Sequence, residues 1–223
     1  MYQLILVSTP LEIRAFSDRA GVVANLSINK PVPVRDDLTL MISGVGCPLT
    51  IFHLTRLLTN NSFDRIIQVG VAGSYKPDLE PGTLVEVGRD CFADLGIDDR
   101  GRFSSVFDSG LSDPDHDPFS QGLLINPQQN VTGLQMVRAI TVNTAAGSSE
   151  LIGQRISGFN PDIESMEGAA VFFVGFQFNI PVLQVRSISN FVEPRNRDSW
   201  EMDLAIDNLN NWLFNFVNRL DPD

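Results

Sequence analysis

The chain has 223 residues, of which 43% are hydrophobic, and 16 basic against 27 acidic side chains give it a formal net charge of −11. No linker rich in Pro, Gly or Ser, no internal repeat and no low-complexity tract divides it, so we expect a single domain over residues 1–223 with a substantial core. An acidic chain without a cluster of Lys and Arg is unlike nucleic-acid binders, whose affinity rests mainly on the neutralisation of phosphates.

The hydrophobic pattern of the first half predicts alternating strands and helices. Thr9 suits the N-cap of the first helix, and Pro10 suits its first turn. Apolar runs predict strands at 3–8, 38–45, 66–71 and 83–87, and the helical spacing of apolar residues predicts helices at 11–16 and about 48–60.

The second half begins with residues 93–130, which are rich in Asp, Ser, Gly and Pro and are expected to be mostly loop. After them, strands are expected at 139–142, 162–166 and 182–188, and helices at about 149–156, 168–178 and 200–220. Strands that alternate with helices favour a largely parallel sheet covered on both faces, which is an α/β architecture.

The ends of the chain and its cysteines indicate a compartment. The N-terminal segment lacks the basic start and the small-residue cleavage site of a signal peptide, and no stretch reaches the roughly 18 apolar residues of a membrane span. We therefore expect a cytoplasmic protein that does not bind membranes. Cys47 and Cys91 lack metal or redox spacing, so we expect buried free thiols and no metal site.

Two carboxylates stand at positions where a helix begins. Glu12 follows Thr9 by three residues, which is the spacing of a capping box, so it can cap the helix, activate a water molecule, or do both. Glu167 lies between Met166 and the small residues that open the next helix. It can act as a favourable charge at the helix N-terminus or accept hydrogen bonds from the hydroxyls of a ligand.

Polar residues follow the last predicted strand. The apolar run 182–185 leads to Ser189 and Asn190, and then to a loop that carries Arg195 and Arg197. Because ligands of open α/β sheets bind at the carboxyl ends of strands, we expect the chemistry here. The arginines can pair weakly with neighbouring acids of their own loop or bind an anionic group of a ligand, and the sequence leaves both possibilities open.

Five segments, taken in order, resemble the nucleoside phosphorylase/nucleosidase superfamily over essentially the whole chain. They are the turn at Glu12, Ser43-Gly44-Val45-Gly46, Gly70-Val71-Ala72-Gly73-Ser74, Ser165-Met166-Glu167-Gly168-Ala169 and Arg186-Ser187-Ile188-Ser189-Asn190. The resemblance implies a three-layer α/β/α sandwich with a mixed, partly barrel-like sheet. It also implies a small nucleoside as substrate, no cofactor, and assembly as a homodimer or a higher homo-oligomer.

The resemblance assigns roles to the matching positions. It implies that Glu12 activates the attacking water, that Glu167 binds the ribose hydroxyls and that Asn190 binds the purine, so these three are the expected catalytic residues. Cleavage of an N-glycosidic bond builds positive charge on the ribose, which a nearby carboxylate stabilises. The substrate-binding residues that we expect are Gly46, Ala72, Gly73, Met166, Ser189 and Arg195.

Two departures from the family pattern bear on the reaction. Adenine-releasing nucleosidases of this superfamily have Asp at the position of Asn190, whereas an amide offers one donor and one acceptor, which suits a 6-oxopurine. Phosphorylases often have Arg at the position of Gln68, and Glu12 would repel a phosphate. Hydrolysis is therefore favoured, with hypoxanthine preferred to adenine as the leaving base, while Asn190 alone is also compatible with guanine.

The segment that follows Ser189 narrows the resemblance further. Its pattern Ser-Asn-x-Val-x-Pro-Arg-x-Arg is similar to that of futalosine hydrolases, which remove hypoxanthine from futalosine in menaquinone biosynthesis. On this interpretation Arg195 can meet the benzoate carboxylate of the substrate. The alternatives are a methylthioadenosine/S-adenosylhomocysteine-type nucleosidase and a purine nucleoside phosphorylase. A non-enzymatic nucleoside binder is disfavoured, because a binder needs no water-activating base.

Overall fold

The computed structural model describes residues 1–219, and the predicted end of the last helix at Leu220 lies outside this range. The strands are β1 (Gln3–Val7), β2 (Val32–Arg35), β3 (Leu38–Ile42), β4 (Arg65–Ser74), β5 (Leu84–Asp90), β6 (Gly96–Asp99), β7 (Arg102–Ser105), β8 (Leu124–Ile125), β9 (Gln135–Thr141), β10 (Ile163–Ser165) and β11 (Val182–Phe191). The helices are α1 (Arg14–Arg19), α2 (Cys47–Asn60), α3 (Ser149–Phe159), α4 (Gly168–Gln177) and α5 (Met202–Arg219).

One mixed sheet organises the chain. Its strand order is β10-β9-β5-β11-β4-β1-β3-β2, with β8 paired to β5. Strand β10 pairs with β9 on one side and with β4 on the other, so β4, β11, β5, β9 and β10 close into a ring. The pairs β1–β3, β1–β4, β4–β11, β5–β9 and β9–β10 are parallel, and the others in this sheet are antiparallel. The predicted mixed α/β class is therefore confirmed.

Helices pack against both faces of this sheet. Successive strand residues point to opposite faces, and in β1 Leu4 and Leu6 join one hydrophobic cluster while Ile5 and Val7 join another. The first cluster includes buried residues of α2 and α4, and the second includes residues of α1 and α5. Helices on both faces agree with the layered arrangement implied by the resemblance, and the closed ring agrees with its partly barrel-like sheet.

The structure differs from the sequence-based prediction at three places. The first helix begins as a single 3-10 turn, Leu11–Ile13, before α1. Strand β2 was not predicted, because its sequence Val-Pro-Val-Arg is short and contains a proline. The stretch 93–130, predicted to be mostly loop, contains the hairpin of β6 and β7 and the short β8.

Other predictions concern the cysteines and the membrane. Cys47 and Cys91 are buried and free, as predicted, and burial raises the pKa of each thiol to about 12. Within residues 1–219, no helix combines the length and the apolar character that a membrane crossing requires.

Candidate active site

A cleft of about 330 Å³ lies at the carboxyl ends of the parallel strands β1, β4 and β11. This is the edge where the sequence predicted the chemistry. Eight of the nine predicted site residues line it, namely Glu12, Ala72, Gly73, Met166, Glu167, Ser189, Asn190 and Arg195. The ninth, Gly46, stands behind the lining.

Glu12 is held at the floor of the cleft by three hydrogen bonds. Its Oε2 accepts from the backbone N (3.0 Å) and Oγ1 (2.8 Å) of Thr9, and its Oε1 accepts from the backbone N of Val71 (3.1 Å). The backbone N of Glu12 donates in turn to Thr9 Oγ1 at 3.4 Å, so the reciprocal contacts of the predicted capping box are present. Capping leaves the carboxylate facing the cleft, so it does not exclude a chemical role.

The electrostatic surroundings of Glu12 make it a stronger base than an exposed carboxylate. Burial is the largest effect and raises the pKa of Glu12, and the negative charge of Glu167 raises it further. The hydrogen bonds from Thr9 and Val71 and the positive charge of Arg186 oppose this rise in pKa. A carboxylate with a raised pKa is suited to take a proton from water.

Glu167 lies at the N-terminal end of α4 and is buried. Its Oε1 accepts a hydrogen bond of 2.7 Å from the backbone N of Gly46, whose φ of 88° favours glycine. Gly46 was expected to contact the substrate, but the structure places it as a donor that orients Glu167. Met166 lines the cleft beside Glu167, and its carbonyl accepts from the thiol of Cys47 (3.5 Å).

Asn190 stands at the end of β11, where the pairing with β4 shifts register between Ile188 and Asn190. Its Oδ1 accepts from Ser189 Oγ (2.8 Å) and its Nδ2 donates to the Phe191 carbonyl (2.8 Å). Ser189 Oγ is also 3.3 Å from the Ala72 carbonyl. The irregular strand end thus turns an amide with both a donor and an acceptor toward the cleft.

The two arginines of the following loop have different positions. Arg195 lines the cleft with its guanidinium 6.0 Å from the ring centroid of Trp200, whereas Arg197 is not among the lining residues. Among residues 1–219, neither arginine has a carboxylate within 4.0 Å, so the local pairing with Glu193 and Asp198 that the sequence left open is not formed.

Arg186 is a candidate functional residue to which the sequence analysis gave no role. It is fully buried in β11, and its register partner on β4 is Gly70. A β-carbon on Gly70 would lie 2.5 Å from Arg186 Nη1 and 3.0 Å from Glu12 Oε1, so the missing side chain lets these two groups approach each other. A charged residue inside an apolar strand run was the available signal, because charges are rarely buried without a partner.

The charged residues that line the cleft are mostly acidic. The acidic residues are Glu12, Glu164, Glu167 and Glu193, and the basic residue among those that line the cleft is Arg195. Gln68, which stands where phosphorylases often have Arg, is buried in β4 and does not line the cleft. Within the described part of the chain, no group of three or more His, Cys, Asp or Glu side chains is placed to bind a metal ion.

Comparison with known proteins shows the family to which the chain belongs. Residues 32–218 match the family described as "Phosphorylase superfamily". A futalosine hydrolase from Streptomyces coelicolor is 29% identical over 152 residues, which are 67% of this chain and 63% of that protein. A 5'-methylthioadenosine/S-adenosylhomocysteine nucleosidase from Buchnera aphidicola is 23% identical over 91% of this chain and 78% of its own length.

A solved structure supports the same fold. The native futalosine hydrolase of Helicobacter pylori strain 26695 superposes with a TM-score of 0.78 at 18% identity, covering 99% of this chain and 98% of that one. At this identity the likeness concerns the fold alone. The sequence matches confirm the resemblance recognised from the five segments.

Proposed function

The chain belongs to the phosphorylase superfamily, and we propose that it is a nucleosidase that hydrolyses the N-glycosidic bond of futalosine. Hypoxanthine and dehypoxanthine futalosine are the products, in the futalosine route of menaquinone biosynthesis. The observation that carries the proposal is the pair of buried carboxylates, Glu12 and Glu167, that face one cleft at the strand ends.

The two carboxylates have complementary chemical roles. Departure of the base leaves an oxocarbenium-like ribose, whose positive charge the carboxylate of Glu167 stabilises while it accepts hydrogen bonds from the ribose hydroxyls. Glu12 removes a proton from the water that attacks the anomeric carbon, and the departing purine takes up a proton, so that one water is added across the broken bond. Arg186 lies beside Glu12 and favours its ionised form, which is the form that can act as a base.

Hydrolysis fits the cleft better than phosphorolysis. A phosphate nucleophile would need cations beside the anomeric carbon, and Arg195, on the exposed loop, is the basic residue among those that line the cleft. Glu12 and Glu167 would repel phosphate at the buried end, where charge interactions are strong. Water is neutral and meets no such repulsion.

Two residues support futalosine as the substrate. Asn190 offers both a donor and an acceptor to the edge of a 6-oxopurine. Arg195 has no carboxylate partner of its own among the described residues and can bind the benzoate carboxylate of futalosine. The second candidate is a methylthioadenosine/S-adenosylhomocysteine nucleosidase, which the similarity to the Buchnera protein favours.

One set of assays separates these functions. Futalosine, inosine and methylthioadenosine are each supplied with and without phosphate, and the free base is identified and its rate of release measured. The proposal expects phosphate-independent release of hypoxanthine, fastest from futalosine. Faster release of adenine would favour the second candidate, and a requirement for phosphate would refute hydrolysis.

We also propose that the chain forms a homodimer or a higher homo-oligomer, as the superfamily resemblance implies. The outer side of α2 carries Leu49 and Phe52, whose side chains are 43% and 59% exposed. Large apolar side chains that stand together on a surface are typical of protein contacts.

A further inference from the structure

A buried polar network runs behind the cleft, between strands of the ring and the start of α4. Its central member is Asp90, at the end of β5, which is fully buried and does not line the cleft. Asp90 Oδ1 accepts hydrogen bonds from the backbone N of Cys91 (2.8 Å) and from Thr141 Oγ1 (3.0 Å). Neither Glu12 nor Glu167 contacts Asp90 by a hydrogen bond, so any effect on them passes through other residues.

One arm of the network leads to the start of α4. Thr141 Oγ1 accepts a 2.7 Å hydrogen bond from the backbone N of Ala169, within the first turn of α4. A β-carbon on Gly168 would overlap with Asp90 Oδ2 and with Gln184 Oε1, so the helix start rests directly on these two side chains. Asp90 and Thr141 therefore fix the backbone that follows Glu167.

The other arm leads to Glu12. Gln184 Oε1 accepts from Arg186 Nε at 3.1 Å, and Arg186 Nη1 and Glu12 Oε1 both lie beside Gly70, although no ion pair within 4.0 Å joins them. Among residues 1–219, Arg186 Nη1 and Nη2 are buried without a hydrogen-bond partner, so the bond from Nε to Gln184 is the hydrogen bond that holds the guanidinium. Gln184 and Arg186 are two residues apart in β11, so their side chains point to the same face of the sheet, the face that packs against α4.

Asp90 Oδ2 and Gln184 Oε1 both lie beside Gly168, 2.2 Å and 2.4 Å from the position that a β-carbon would take there. Gln184 Oε1 is an acceptor, and among residues 1–219 Asp90 Oδ2 has no hydrogen-bond partner. Two acceptor oxygens repel each other unless a proton lies between them. A neutral Asp90 carboxyl has a proton that Oδ2 can donate to Gln184 Oε1, and this donation would satisfy both atoms.

We propose that Asp90 is a positioning residue for the reaction, which acts through Gln184 on Arg186 and Glu12 and through Thr141 on the helix start behind Glu167. The inference rests on the proposed nucleosidase function and deepens it. On this inference Asp90, which lies outside the cleft, determines the placement of both reacting carboxylates.

The electrostatics of Asp90 allow the neutral form at pH values below its raised pKa. Burial is the largest effect and raises the pKa of Asp90 to about 7, against the lowering effects of Thr141, Arg186, Cys91 and, last, the Gln184 side chain. The charged or titratable groups that face it are Arg186 from β11, Cys47 from α2 and Cys91 beside it. Both thiols are themselves neutral, so Arg186 is the one charge of this set.

The experiment compares four single variants of the full chain and the double variant that combines Asp90→Leu with Gln184→Leu. Asp90→Asn keeps an acceptor at Oδ1 and supplies a donor toward Gln184, whereas Asp90→Leu and Gln184→Leu break the network. Glu86→Gln is the matched control, because Glu86 is a buried acid of the same strand whose carboxylate bonds to Val131 and Thr132 instead. Hypoxanthine release from inosine and futalosine gives kcat and KM across pH, and thermal unfolding reports folding.

We expect kcat to fall at least tenfold in both Leu variants, with KM within threefold of wild type. The acid limb of kcat/KM should move to higher pH, because a displaced Arg186 no longer lowers the pKa of Glu12. Asp90→Asn should keep kcat within threefold, Glu86→Gln should keep both kcat and the acid limb, and the double Leu variant should lose no more than the worse single one.

Two results overturn the inference while leaving the proposed function intact. One is a folded Leu variant with wild-type kcat and an unmoved acid limb, and the other is an Asp90→Asn variant as impaired as Asp90→Leu. If Asp90→Leu does not fold, Gln184→Leu decides, since its side chain has almost the volume of the original. A wild-type chain that releases no base from any of the nucleosides refutes the proposed function itself.

Discussion

Replacement of Glu12 by Gln tests the proposed water-activating base most directly. The substitution keeps the size of the side chain and removes its charge and its basicity. Because Glu12 also closes a capping box, stability and activity both change, and the structure allows the two effects to be separated.

The change in stability follows from the three hydrogen bonds that Glu12 accepts. Oε1 serves Val71, and Oε2 serves both the N–H and the hydroxyl of Thr9. A Gln side chain has one acceptor oxygen, so either Val71 or Thr9 faces the amide NH2 instead. A hydrogen bond to a charged group contributes about 1.5–3 kcal/mol, and the relief of charge burial offsets part of the loss.

We therefore expect Glu12→Gln to lower the free energy of unfolding by about 1–2 kcal/mol. A domain with about 5–15 kcal/mol of stability still folds after this loss, with a melting temperature lower by about 2–8 °C. The substitution should therefore spare the fold but lower its stability, since the hydrogen bond to Val71 or those to Thr9 must be lost.

Activity should fall much further than stability. Loss of a general base lowers kcat by about 10²–10⁴-fold. The wild-type base works when ionised, so kcat/KM should decline as pH falls through the raised pKa of Glu12. The same raised pKa means that the folded state holds its proton more tightly than the unfolded chain, so Glu12 lowers stability as pH rises through this range. Both dependences should disappear in Glu12→Gln.

The assay measures hypoxanthine release under saturating futalosine, together with thermal unfolding of the same samples. Glu86→Gln is again the matched control, because its carboxylate is buried and also accepts three hydrogen bonds, from Val131 and from the N–H and hydroxyl of Thr132. We expect a similar loss of stability in the control with wild-type kcat. A kcat for Glu12→Gln within tenfold of wild type, at temperatures where it is folded, would refute the role of Glu12 as base.

Further expectations concern the base, the carboxylate and the assembly. Asn190→Asp should raise the ratio of adenine to hypoxanthine release at least tenfold, because its carboxylate can no longer pair with a 6-oxopurine edge as the amide does. An unchanged ratio would contradict our account of base selection. Arg195→Ala should raise KM about 3–10-fold for futalosine and less than twofold for inosine. The expected loss of binding energy for futalosine lies between that of an exposed ion pair and that of a hydrogen bond between charged groups. Arg197→Ala serves as its control, and equal effects on both substrates would exclude a carboxylate contact. Light scattering should give at least twice the monomer mass of 24.6 kDa, and a monomer would refute the proposed oligomer.

Local patterns predicted most strands and helices, because their apolar spacing is regular. The 14-residue helix α2 and the apolar strand β11 both follow such patterns. The closure of the sheet was available only through the family resemblance, because it depends on β10 pairing with both β9 and β4, and a strand of three residues carries little sequence signal. Long-range pairing of this kind is a tertiary property.

The residues of the candidate site divide in the same way, into those that local sequence patterns indicate and those that depend on long-range contacts. Glu12, Glu167 and Asn190 follow strand ends or precede helices, and such positions can be recognised in the sequence. The charge of Arg186 inside an apolar run is visible in the sequence, but a role could not be assigned, because its approach to Glu12 depends on Gly70 in a neighbouring strand. Gly46 was assigned to the substrate because glycines allow close approach, and the structure shows a contact that the sequence did not indicate, from its N–H to Glu167.

The distribution of charge along the cleft decides between the candidate reactions. Glu12 and Glu167 lie at the buried end, where they favour a positive ribose and disfavour phosphate. Arg195 lies on the exposed loop beyond Asn190. An anionic substrate can therefore bind only with its charged group directed outward, away from the two acids and toward this arginine. A neutral nucleoside such as methylthioadenosine needs no cation there, so Arg195 is the feature that favours futalosine, while the buried acids favour hydrolysis whichever nucleoside is bound.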